Sequence, residues 1–157
     1  LVGSEMCIRD STMHKVAPQI QEKITIPILH IAQATAQALL ADGIQKVGLL
    51  GTKYTMTQDF YKEKLIESGL EVLIPDQAGI TEVNRIIYDE LCLGDIKESS
   101  KQTYLTIIDD LKKAGAEAVI LGCTEIGLLV KQSDTDLPLY DTTVIHAEKA
   151  AEWAVNK

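Results

Sequence analysis

A chain of 157 residues is long enough for one ordinary domain or two small ones, and long enough to bury a core. Its hydrophobic content of 46% against 24% charged residues excludes a disordered chain, and a net charge of -8 with scattered Lys and Arg argues against a nucleic-acid surface. No apolar run approaches the roughly 20 residues that span a bilayer, and residues 1–11 lack the apolar centre of a secretory signal.

Residues 14–23 can form a short helix with Val16 and Ile20 on one side, and 24–30 then read as a strand with Pro27 at its entry or at an edge. An Ala-rich helix follows over 32–42, with Thr35, Leu39 and Leu40 on its buried side and Gly43 at its end. Residues 46–51 are a second apolar strand. Thr55 and Gln58 fit a capping box, which predicts a helix from Met56 to about Ser68, closed by Gly69. Leu70 to Ile74 is a short strand stopped by Pro75. Val83, Ile86, Ile87 and Leu91 give helical spacing over 81–91. After the break at Gly94, Ser99 or Ser100 can cap a helix that places Tyr104, Leu105, Ile108 and Leu111 inward and ends at Gly115.

The chain is organised around the next stretch, Ala118-Val-Ile-Leu-Gly-Cys-Thr-Glu-Ile126. Four apolar residues read as a strand buried on both faces, and Gly-Cys-Thr-Glu turns into a helix expected to begin near Thr124. Cys123 would then lie at the carboxyl end of a strand and at the mouth of a helix, where unpaired N–H groups favour a thiolate. The alternative is a small apolar filler beneath a turn. Residues 137–141 form a last strand and 143–155 a last amphipathic helix.

Strands alternating with helices of this length imply βαβ units, so the fold class is α/β with a mostly parallel sheet. Two internal echoes support paired units: Gly43 to Thr52 resembles Gly115 to Thr124, and Ile26-Pro-Ile-Leu-His resembles Leu137-Pro-Leu-Tyr-Asp. The three cysteines, at 7, 92 and 123, form no CxxC pair and no metal-ligand spacing, which suits a reducing, cytoplasmic setting. His14, His30 and His146 likewise show no ligand spacing and read as satisfied core residues.

Taken in order, Thr12-Met-His-Lys-Val16, Ile26-Pro-Ile-Leu-His-Ile-Ala-Gln-Ala-Thr35, Val47-Gly-Leu-Leu-Gly-Thr52 with Thr55-Met56, Ile87-Tyr-Asp-Glu-Leu91, Ile120-Leu-Gly-Cys-Thr-Glu-Ile126 and Asp141-Thr-Thr143 resemble the cofactor-independent aspartate/glutamate racemase family. The resemblance implies two α/β domains with a small amino acid between them, no metal or pyridoxal cofactor, and often a homodimer. It also implies two acid/base residues, usually cysteines, that remove and return the alpha proton on opposite faces of a planar intermediate. By motif match Cys123 is one of them. Thr52, Thr55 and Thr124 would offer hydroxyl and N–H groups to the substrate carboxylate, a role that can coexist with plain helix capping. Glu125 would orient its neighbours or the substrate's amino group, and Thr12 belongs to the same binding set. Some aspartate-specific members carry a lysine near position 92. Cys92 departs from that pattern.

The family's other acid/base residue lies in a segment of the form Cys-Thr-Asn-Thr-Met-His, or with Thr in place of the Cys. Here Arg9 stands at that residue's position, Cys7 is two residues too early, and only Thr12-Met13-His14 is retained. The reading is therefore of a longer protein cut at its start, with 1–11 a non-native extension, 45–135 a complete three-layer domain, and 12–44 with 136–157 the remnant of another. Such a chain is expected to be inactive alone. A non-catalytic amino-acid-binding domain is the alternative, and a nucleotide-binding module a weaker one, because Gly48-Leu-Leu-Gly51 is neither GxGxxG nor a P-loop.

Overall fold

The computed structural model describes residues 6–7 and 12–155, with side chains from His14 onward. Apart from the backbone of Met6 and Cys7, the proposed extension at 1–11, including Arg9, lies outside that description, as does the side chain of Thr12.

Among the described residues there are six strands: β1 (Met6–Cys7), β2 (Ile28–Leu29), β3 (Lys46–Leu50), β4 (Glu71–Leu73), β5 (Ala118–Leu121) and β6 (Leu139–Asp141). The α-helices are α1 (Ala17–Gln21), α2 (Ile31–Ala41), α3 (Lys53–Thr57), α4 (Asp59–Glu67), α5 (Gln77–Asp89), α6 (Glu98–Lys113), α7 (Ile126–Leu129) and α8 (Thr142–Val155). Four strands form a wholly parallel sheet in the order β4-β3-β5-β6, and β1 pairs with β2 in a separate two-stranded parallel sheet.

The expected α/β class holds, and the alternation of side chains shows why. Val47, Leu49, Ala118 and Ile120 point to one face of the large sheet, where they bury against α2 and α4 through Ile31, Leu39, Tyr61 and Leu65. Leu50, Val119 and Leu121 point to the other, against α5 and α6 through Val83, Ile86, Tyr104 and Ile108. Two apolar faces demand two helical layers, which is why both central strands read as continuous apolar runs. Gly43 and Gly115, at φ +77° and +100°, turn the chain from α2 into β3 and from α6 into β5, a conformation that favours glycine.

The described parts of 12–44 and 136–157 contact this unit. Helix α2 supplies part of one layer, β6 pairs with β5 from Val119 opposite Leu139 to Leu121 opposite Asp141, and α8 packs on α2. The first echo proves to be two neighbouring strands of one sheet, with Leu50 opposite Leu121. The second relates β2 and β6, whose following helices pack together.

Several element boundaries differ from the sequence expectation for identifiable reasons. The strand expected over 24–30 shrinks to two residues because the Gln21 side chain satisfies the backbone of Ile24, Ile26 and Ile28. The helix expected at 56–68 is split: Thr52 caps α3, and extended Gln58 (ψ 152°) breaks the chain before α4. Helix α5 starts early because Asp76 Oδ1 accepts from Gly79 N at 2.7 Å, an N-cap that the apolar spacing does not reveal. Ser100 does not cap α6; it is buried and donates to Glu90, which also pairs with Arg85 at 2.8 Å.

Candidate functional site

The chain runs from β3 outward to β4, then returns past β3 to β5 and on to β6. That reversal falls between β3 and β5, and the carboxyl ends of strands at such a point are where open α/β sheets bind ligands. Both strands end in glycine. Gly122 N donates to Leu50 O at 2.7 Å, and a Cβ at Gly122 would lie 2.9 Å from that oxygen. A Cβ at Gly51 would lie 3.3 Å from two carbons of Thr55. The two turns are joined backbone to backbone, and the missing side chain at Gly122 permits that approach without strain.

On the β3 side, Thr52 is the N-cap of α3. Its Oγ1 accepts from Thr55 N at 3.2 Å and lies 3.1 Å from Thr55 Oγ1, so the two predicted threonines are held together. Asn84 on α5 accepts from Lys53 N at 2.7 Å, a second cap that sequence reading missed. Lys15 Nζ donates to the Tyr54 hydroxyl at 2.7 Å, which lays the 3-10 segment Thr12–Val16 against the helix that Thr52 caps.

On the β5 side, the helix expected at Thr124 begins only at Ile126 and runs four residues. Cys123 therefore precedes a helix too short to lend it much dipole. The expected depression of its thiol is overturned: burial, then the hydrogen bond to Glu125, push the group up to about 12. The thiol donates to Glu125 Oε2 at 2.9 Å. Burial works against ionisation of Glu125, but hydrogen bonds from Cys123 and Thr124 prevail and hold its carboxyl below the usual range. Cys123 is half-buried against the α5–α6 core, whereas Thr124 faces outward. Fully buried Tyr104 lies close enough that its phenol is raised by burial, then by Cys123 and Glu90.

The end of β6 joins the same rim through Thr142 Oγ1, which donates to Leu121 O at 2.9 Å. Cys92 is exposed in the 3-10 turn Leu91–Leu93, its thiol raised by what burial it has and by Glu125. The predicted residues Thr52, Thr55, Cys123, Thr124 and Glu125 thus gather at two adjoining strand ends. Thr12 opens the 3-10 segment Thr12–Val16, whose Lys15 reaches Tyr54 on α3.

The histidines are not scattered. The His14 and His30 ring centroids lie 4.4 Å apart and those of His14 and His146 5.9 Å apart. His14 Nε2 accepts from Ile31 N and His30 Nδ1 from Ala32 N, so backbone donors occupy both nitrogens at the start of α2. Long sequence separations hide this cluster from any local pattern. Among the described residues no group of three or more His, Cys, Asp and Glu is arranged to hold a metal ion. No described helix is long and apolar enough to cross a membrane.

The sequence profile of the Asp/Glu/hydantoin racemase family matches residues 11–150. The chain belongs to that family. It is similar to the crystal structure of a putative Asp/Glu racemase from Yersinia pestis, at 48% identity and a TM-score of 0.93, with 96% of this chain and 66% of that one covered. An aspartate racemase homologue from Pyrococcus horikoshii OT3 matches at 39% identity and a TM-score of 0.89, over 96% and 66% of the two chains. An uncharacterized protein in the pnlA 3' region of Pectobacterium carotovorum subsp. carotovorum is 30% identical over 85% of this chain and 89% of its own length. The present chain thus spans 66% of each of these two structures.

Proposed function

We propose that this chain is part of an amino-acid racemase that interconverts the L and D forms of aspartate, glutamate or a related small amino acid by two-base alpha-proton transfer. The observation that carries the reading is the position of Cys123, at the carboxyl end of β5 where the strand order reverses, beside the threonine-capped turn that ends β3. In this reading the substrate carboxylate takes hydroxyl and N–H groups from Thr52, Thr55 and Thr124, while Cys123 serves one face of the alpha carbon. The group serving the other face comes from outside the described residues. This chemistry needs no cofactor, because the proton moves between side chains and carbon alone. Free thiols at Cys92 and Cys123 support a reducing, cytoplasmic setting.

Exchange of the alpha hydrogen of aspartate and glutamate in deuterated water, followed by NMR, tests the proposal. A chimera that supplies the third of the Yersinia pestis relative left uncovered by this chain is expected to exchange and to interconvert the enantiomers, and Cys123→Ser to slow that interconversion by about 1,000-fold, within the range for a positioned acid/base. The 157-residue chain by itself is expected to show no exchange. Racemisation by the chimera that survives Cys123→Ser would sink the assignment.

The raised thiol of Cys123 favours a second reading, a binding domain without proton transfer. That reading requires heat of binding for both enantiomers in calorimetry and no exchange even in the chimera.

A further inference from the structure

The contact between Cys123 and Glu125 carries an inference about which way the site is set before substrate arrives. It rests on the racemase reading for its direction, whereas its test reads the thiol alone. Sγ and Oε2 are 2.9 Å apart within the turn that follows β5, and Glu125 receives its side-chain hydrogen bonds from Cys123 and Thr124. A carboxylate at that distance opposes a second negative charge on sulfur and rewards a proton placed between them. The other titratable groups bearing on Cys123 are Cys92, in the turn before Gly94, and Tyr104 on α6, itself influenced by Glu90. None of these is a cation that would favour the thiolate.

We infer that Glu125 is a positioning residue that keeps Cys123 as a neutral thiol in the empty site, so that this side enters the reaction as the proton donor. In the step that follows, the opposite group has already taken the alpha proton, leaving the electron pair on the planar intermediate. The Cys123 S–H bond then breaks as the new Cα–H bond forms, and sulfur is left as the thiolate. The proton held by the opposite group returns to sulfur through solvent before the next turnover, so no oxidant, reductant or co-reactant is required. The substrate enantiomer consumed first is the one whose alpha hydrogen points away from Cys123.

Alkylation by iodoacetamide as a function of pH, on the 157-residue chain carrying Cys7→Ser and Cys92→Ser, reads Cys123 alone. The midpoint is expected far above neutral. Glu125→Gln is expected to lower it by at least one unit and so speed alkylation at pH 8 by about tenfold. Glu125→Asp, which keeps the charge, is expected to stay near the parent. An unchanged midpoint in a folded Glu125→Gln protein overturns the inference. Should that variant lose its circular dichroism spectrum, the infrared S–H stretch of the parent at neutral pH decides: present and shifted by a carboxylate acceptor, it supports the inference, and absent or unshifted, it overturns it. Failure of the racemase reading would appear separately, as missing alpha-hydrogen exchange alongside an intact thiol response.

Discussion

A methyl group at residue 122 would sit 2.9 Å from the Leu50 carbonyl oxygen and 3.2 Å from Leu49 Cδ1. The oxygen belongs to the central strand and accepts the Gly122 N–H, so it has nowhere to move. Gly122→Ala is therefore expected to destabilise the protein by about 2 kcal/mol, as overpacking does elsewhere, seen as a lower urea midpoint. Thr52→Ala removes the acceptor for Thr55 N and is expected to lower stability by about 1 kcal/mol in the same measurement. The residue types at this rim were legible: Gly-Cys-Thr-Glu and Gly-Thr each announce a strand-to-helix turn. The ionisation of Cys123 was not, because it depends on how far the next helix lies downstream and on which way the Glu125 side chain folds back.

Helix α2 shows what element-level patterns convey and what they leave hidden. Its Ala-rich periodicity identified the helix and its buried Leu39, but not the two histidines that satisfy its first N–H groups. His30 is held at about 4 by burial, then by His14, Lys64 and His146, so it is neutral in the folded protein and must stay so to accept from Ala32 N. A folded value below the usual 6.5 means that this stability is complete above pH 6.5 and is lost as pH falls toward 4. Allowing for its partial exposure, the loss is about 2 kcal/mol. Thermal unfolding between pH 7.5 and 4.5 is expected to show the decline, and His30→Asn, which keeps an N-cap acceptor but cannot titrate, to flatten it. The split between α3 and α4 was hidden for a similar reason: both halves are good helix formers, and only the Thr52 cap and the extended Gln58 separate them.

At the scale of the molecule, the alternation of strands and helices was enough to read the α/β class, while strand order was not, since apolar period reports which face is buried and never which neighbour lies beside it. The consequence is visible at both ends of the chain, where α2 and β6 join the layered unit built on β3 and β5. One cooperative transition should follow. Trp153, the sole tryptophan, lies on α8 against α2, so its fluorescence and the far-ultraviolet circular dichroism signal are expected to change together on heating. A fluorescence change that clearly precedes loss of helix would mean that α8 melts as a separate piece. Because all four strands of the large sheet run the same way, every downstream turn with chemical promise lies on one rim, and the loops entering the strands lie on the other. Exposed Gly69, between α4 and β4, belongs to that second rim. A fluorophore or affinity handle grafted there would report on the protein, or tether it to a surface, from the side farthest from Cys123.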